Sequence, residues 1–379
     1  MTDDMTTGDP TPGDPGTGGP APELLARCAE LKEELVGFAC GPRYGRALEE
    51  RRRAAEADSG GRLSESDAIS LVEGFIFAER LEDGRTVVEA FVASRRPALD
   101  AADSALLLGW RDIVEGWFEL LPPDGDTALL HNLFDDLTYR AHATRGPETF
   151  GELEQGTFLL GRLVPLLPFS DDWLVSGHLV VLDREVAPML AQAALQALAA
   201  QPALMRHNPA LWAKAWEIQA AERAAFVAEH GEHLVLLPPE AARAALPAGA
   251  EPPEGFAAAG DVGLLYDGTE GLLVYPGAGR LEELFADPKL AADRARITVL
   301  GEFLRDATVS PALFRDLAAR HPDGADAAFR VLLGKRGFSW ARDGEALLRR
   351  YKPAYFDVEP SPRVYVVCDR LRELLTPAG

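Results

Sequence analysis

Cysteine is scarce in this chain. Its 379 residues contain three, Cys28, Cys40 and Cys368. So odd and sparse a set excludes a disulfide framework, and no CxxC pair offers a zinc or redox motif. A cytoplasmic location is the simplest expectation. Long apolar runs are also missing: no stretch of about 20 apolar residues provides a transmembrane helix, so no membrane partner is expected. The N-terminus lacks the basic and apolar regions of a signal peptide. Positive charge is short too. Lys and Arg number 38 against 60 Asp and Glu, a net charge of −22. Such a chain is repelled by nucleic acid and anionic membrane unless a local basic patch intervenes. The seven histidines are scattered. Only His230 and His233 are close, and they straddle Gly231, which suits a surface turn better than a metal site. No metal and no cofactor are expected.

What is present is enough apolar material for a large core, 47% of all residues. Heavy use of Ala, Leu, Arg, Gly and Pro over Lys, Ile and Asn is compatible with a bacterial genome of high GC content. The chain is organised around residues 113–182, which read as short strands joined by tight turns. Residues 113–121 form the first strand, ended by Pro122 and Pro123, and 127–134 return. Leu137, Tyr139, Ala141 and Ala143 then alternate with Thr138, Arg140 and His142, a period of two. Residues 157–165 and 173–182 add two strands. The expected fold is α+β: N-terminal helices, a small antiparallel bent sheet or partly open barrel, and a mostly helical C-terminal half with a β-hairpin.

Composition divides the chain further. Residues 1–21, mostly Thr, Gly, Pro and Asp, read as a disordered tail. Residues 22–112 are a helical N-terminal region, 113–182 the sheet or barrel, and 183–246 a second helical region. Residues 247–259 are the best internal linker. Residues 260–379 hold a hairpin, 262–266 with 271–275, and a helical C-terminal domain. Helix starts are marked at Pro22, within Ser64-Glu65-Ser66-Asp67, and at Asn208 before Pro209. Residues 363–368 read as a last short strand and 369–375 as a last helix. Trp212 and Trp216 lie one turn apart, as core anchors or as an exposed ridge for a partner.

Several constellations bear on chemistry. Gly277-Ala278-Gly279-Arg280 lies between a strand and a helix, where backbone amides approach a phosphate in nucleotide sites. The third glycine of that motif is missing, so a plain turn is the simpler reading. Asp135, Asp136, Asp171 and Asp172 sit in turns, where carboxylates hold Mg²⁺ or simply bond their own backbone. Ser176-Gly177-His178 lacks the setting of a nucleophile elbow.

One segment contradicts the overall charge. Between Lys335 and Lys352 stand six basic residues, Lys335, Arg336, Arg342, Arg349, Arg350 and Lys352, against Asp343 and Glu345. Phe338, Trp340 and Tyr351 are interleaved with them. Ser339 is positioned to cap a helix through Arg350, with Gly344 inside it. Charge and stacking together suit an anionic ligand or an acidic partner, and Lys335, Arg336, Trp340, Arg342, Arg349 and Arg350 are the binding residues this predicts. The alternative is that the cations pair with the protein's own acids and the aromatics are core. No catalytic residue set is predicted.

Leu107-Leu108-Gly109-Trp110-Arg111-Asp112 leads into Gly116-Trp117-Phe118-Glu119-Leu120, and Gly161-Arg162-Leu163-Val164-Pro165 follows. These residues resemble an uncharacterised bacterial domain that elsewhere accompanies cysteine-rich SEC-C zinc tails. The resemblance covers residues 64–182, and the clustered cysteines of the zinc tail are absent. It implies no activity and no site residue. The reading that results is a non-enzymatic binding, adaptor or regulatory module with a protein partner. The alternative is an enzyme or regulator acting on a phosphate-bearing ligand, nucleotide or nucleic acid, through the C-terminal basic and aromatic patch.

Overall fold

The computed structural model describes residues 20–376, apart from 82, 96, 126, 145, 147, 248–250, 254, 257–259 and 358. All but the last two residues of the expected tail 1–21, and much of the linker 247–259, lie outside the described residues. The chain forms two compact units, residues 1–198 with 367–379, and residues 199–366. The region expected at 260–379 is thus divided at Val367.

The first unit opens with five helices, α1 (Pro22–Cys40), α2 (Gly45–Asp58), α3 (Glu65–Phe77), α4 (Val87–Ser94) and α5 (Ala101–Gly109). Their starts are set locally. Ser64 Oγ accepts the Asp67 amide at 3.1 Å, and Asp100 accepts that of Asp103 at 2.7 Å. Thr86 and Glu89 exchange bonds as a capping box. Next come β1 (Val114–Asp124), β2 (Thr127–Asn132), β3 (Thr138–His142), the single turn α6 (Glu148–Gly151), β4 (Phe158–Pro165) and β5 (Trp173–Leu182). Helix α7 (Ala187–Ala200) carries Pro188 in its first turn, where no amide donor is missed.

Strand β1 pairs with β2 and β4, β2 with β3, and β4 with β5, all antiparallel. β3 meets β5 in parallel over two residue pairs, Ala141 with Trp173 and His142 with Leu174. The pairings therefore run in a ring with one short seam, and the sheet is mixed rather than wholly antiparallel as expected. A second correction concerns Pro122 and Pro123. They do not end β1, which runs on to Asp124; the register shifts between Leu121 and Asp124, so the prolines fall where the ladder asks for no donor. Phe118, Leu130, Tyr139, Leu159 and Leu163 pack together from four of the strands. The helices enclose a separate core of Leu31, Leu35, Phe75, Phe91 and Trp110, joined by Val164 and Leu174 from the sheet. Each such side chain contributes roughly 1.5–3 kcal/mol of burial.

The second unit runs α8 (Pro209–His230), β6 (Leu234–Leu237), α9 (Pro239–Ala244), β7 (Val262–Asp267), β8 (Gly271–Tyr275), α10 (Ala278–Ala286), α11 (Arg294–Arg305), α12 (Pro311–Arg320), α13 (Pro322–Leu333), α14 (Trp340–Tyr351) and α15 (Ala354–Asp357). Asn208 Oδ1 caps α8 through the amides of Ala210 and Leu211. Strands β6, β7 and β8 form an antiparallel sheet. The turn between β7 and β8 is held by Asp267 Oδ1, which accepts from the Thr269 and Glu270 amides at 2.8 and 2.9 Å. Leu281, Phe285, Phe314, Phe329 and Phe338 are buried in the core of α10 to α14.

No strand forms at 363–368. The Arg363 amide donates to Gln219 Oε1 at 2.6 Å, and Gln219 donates on to Gly268 O, so a side chain takes the place of a ladder. The last helix, α16 (Asp369–Leu375), belongs to the first unit. Arg370 binds both carboxylate oxygens of Glu119, at 2.6 and 2.8 Å, and Cys368 Sγ donates to Leu133 O at 3.3 Å.

Candidate functional site

The basic segment forms the end of α13, a loop and α14. Gly334 closes α13 with φ 62°, and the Lys335 amide returns to Arg330 O at 3.1 Å. The loop then turns inward at Phe338, whose carbonyl accepts from Arg330 Nε at 2.8 Å. Ser339 precedes α14 as expected, but its hydroxyl does not cap the helix. Asp343 instead reaches back to accept the Ser339 amide at 3.1 Å, and the Trp340 amide donates to Asp326 of α13 at 2.6 Å. Two carboxylates thus satisfy the helix start and complement its dipole.

The predicted cations remain on the surface. Lys335, Arg336, Arg342, Arg349 and Arg350 are all exposed. The side chains of Lys335 and Arg336 have no hydrogen-bond or ion-pair partner among the described residues. Arg342 binds the adjacent Asp343 carboxylate and the Gly337 carbonyl. That guanidinium, with the Ser339 amide, pulls the Asp343 carboxyl down to about 2. Arg349 lies seven residues on, two turns and about 10 Å along the same face. Between them stands Glu345, held by Arg315 of α12 at 3.0 and 3.1 Å, with Arg349 3.8 Å away. Arg349 also covers the Phe356 ring at 4.5 Å. Arg350 lies over Tyr351.

The aromatics face the other way. Phe338 is buried. Trp340 stacks on Phe329 with centroids 4.9 Å apart and planes 27° apart, and its indole lies close to Gly344. A Cβ at Gly344 would sit 2.8 Å from Trp340 Cδ2, which explains the glycine inside the helix. Tyr351 and Phe356 pack against the same core. The structure therefore gathers the cations but not the stacking surface expected beside them.

Lys352 is the exception among the cations. It is 1% exposed, and its Nζ donates to the carbonyls of Phe303, at 2.9 Å, and Asp306 at the end of α11. An ammonium there answers carbonyls that the helix leaves without partners. Burial lowers its pKa to about 8. This lysine holds the fold and does not belong to the surface patch.

The other constellations separate in space. The Gly279 amide donates to Asp261 O and the Arg280 amide to Gly277 O, so neither is aimed at a phosphate. Gly279 lets α10 approach Asp261, whose Cβ would lie 2.7 Å from an added Cβ. Asp135 accepts from the Leu137 amide and the Tyr139 hydroxyl, and Asp136 lies 3.1 Å from His131 Nε2. His230 packs on Phe226, whereas His233 contacts Asp316. Among the described residues no three His, Cys, Asp or Glu side chains gather where they could hold a metal ion. Likewise, no helix among them is long and apolar enough to cross a membrane. Trp212 and Trp216 are both half-buried.

One polar network is invisible to local sequence reading. Lys32 of α1 binds Glu73 of α3 at 2.5 Å and also the Ser176 hydroxyl of β5, which itself donates to Glu73 at 2.7 Å. Glu73 and Ser176 are buried. The three residues lie up to 144 positions apart, and only an apolar helix face interrupted by Glu73 hints at a buried partner.

With this geometry in view, comparison with protein-family models, curated proteins and solved structures finds no match to the chain.

Proposed function

We propose that the protein is a non-enzymatic binding module, an adaptor or regulator, whose α14 face and preceding loop take an acidic segment of a protein partner. One observation carries this reading. Lys335, Arg336, Arg342, Arg349 and Arg350 are exposed together in a chain of net charge −22, while the aromatics among them are turned into the core. Single-stranded nucleic acid is held by stacking as well as charge. A surface that keeps the charge and covers the rings suits an extended, carboxylate-bearing peptide better. Arginines add bidentate recognition of carboxylates. The same reading puts the protein in a bacterial cytoplasm, resting on its three free cysteines and its composition.

Fluorescence anisotropy with a labelled oligoglutamate peptide, and with an oligonucleotide of equal charge, tests it. The peptide is expected to bind at low salt and to weaken as salt rises. Arg336→Ala combined with Arg342→Ala should lower the affinity and flatten the salt dependence. Equal binding by the double variant, or no peptide binding at low salt, rejects the proposal. Tighter binding of the oligonucleotide replaces it with the phosphate-bearing alternative.

A further inference from the structure

A cavity of about 500 Å³ opens beside the β1–β2 hairpin, against α6 and the segment that follows it. That size falls within the range of small-molecule sites, about 300–1,000 Å³, and the mouth of a ring of strands is a common place for one. Its wall is mainly apolar: Leu120, Leu121, Phe150 and Leu153 line it. Leu120 and Phe150 are buried, so this part of the wall belongs to the core. Among the described residues a single charged side chain borders the cavity, that of Glu148. Glu148 is exposed and has no ion-pair or hydrogen-bond partner among the described residues. Gln155, also on the rim, adds a neutral amide.

A cavity with an apolar wall and one carboxylate, unpaired among the described residues, at its edge selects for an apolar body bearing one positive charge. A neutral molecule of the same shape gains only the burial. An anion meets repulsion from Glu148 as well as the negative field of the whole chain. We propose that this cavity binds a small organic amine, its ring or chain against Leu120, Phe150 and Leu153 and its ammonium group on Glu148. The site lies in the first unit, and the α14 surface in the second.

Isothermal titration calorimetry with 2-phenylethylamine, 2-phenylethanol and phenylacetate tests the proposal on the full chain. The amine is expected to bind saturably at one site, the alcohol more weakly, and the carboxylate not measurably. Glu148→Gln should reduce amine affinity about tenfold or more, to the level of the alcohol, as loss of a charge-assisted hydrogen bond requires. Gly151 borders the cavity, and a Cβ there meets nothing within 4 Å, so Gly151→Trp can fill the space with little strain. That variant should fold with an unchanged circular dichroism spectrum and lose amine binding. Equal binding of amine and alcohol, an unchanged affinity in Glu148→Gln, or full binding in Gly151→Trp each overturns the assignment. So does the absence of binding by the amine.

Discussion

His142 Nε2 lies 2.7 Å from Asp172 Oδ2, across the two-residue seam where β3 runs parallel to β5. Both side chains are buried. The other carboxylate oxygen accepts from Arg140 Nε at 3.0 Å, and the Asp172 amide donates to Ser170 Oγ. Two ladder pairs are a weak join for a ring of strands. A carboxylate bound by two side chains of the opposite strand supplies what the short ladder lacks.

Asp172→Ala should therefore cost about 1–3 kcal/mol, because it leaves the buried His142 and Arg140 Nε without their acceptor, while Arg140 Nη1 keeps Asp124. Asp172→Asn keeps an acceptor oxygen and should lose less. Urea unfolding followed by circular dichroism measures both. Equal losses would show that packing at the seam, not the carboxylate, matters.

Lys352 makes stability depend on pH in a particular direction. Its pKa is lowered from the ordinary 10.5 to about 8 in the folded protein, so the unfolded chain binds the extra proton between those values. Stability contributed at this position is therefore lowest below pH 8 and rises as pH climbs toward 10.5. Between about pH 8 and 9.5 the gain is roughly 1–2 kcal/mol. Lys352→Met removes the titration. The difference in unfolding free energy between wild type and variant should shift by that amount, and a pH-independent difference would contradict the burial argument.

Gly344→Ala tests the packing of Trp340. Helix propensity alone favours the change by about 1 kcal/mol. The added methyl would meet the indole at 2.8 Å, however, and drive it off Phe329. A net loss of about 1–2 kcal/mol is expected, with an altered near-ultraviolet dichroism spectrum. A stabilised variant with an unchanged spectrum would refute it.

The three thiols should react unequally. Burial pushes Cys28 up to about 11 and Cys368 up to about 12, whereas Cys40 is exposed. Alkylation of the native protein near neutral pH should modify Cys40 and spare the other two until denaturant is added. Mass spectrometry of the peptides reads the outcome. Equal rates at all three sites would count against the docking of Cys368 on Leu133.

Much of the secondary structure was legible because its causes are local. Ser64 and Asn208 act within three residues of themselves, and Pro22 and Pro209 start helices by their own ring geometry. The alternation of Tyr139 and Ala141 against Thr138 and Arg140 likewise reports burial face by face, but His142, expected on the wet face, is buried against Asp172. The exposed cations of α14 were legible for the same reason, since charge on a helix face needs no distant partner. What the sequence could not determine lies in contacts between remote residues. Lys352 and Lys335 are the same residue type, yet only the fold buries one under two carbonyls and leaves the other in water. From the sequence Trp340 reads as a stacking surface, because Phe329 and Gly344 meet it only once α13 and α14 pack. The parallel seam, the Lys32–Glu73–Ser176 network and the Arg370–Glu119 pair join positions from 30 to 251 apart. A side chain's chemistry is inherent in its type, but its partner, its solvent and therefore its charge and reach are decided where the chain brings distant segments together.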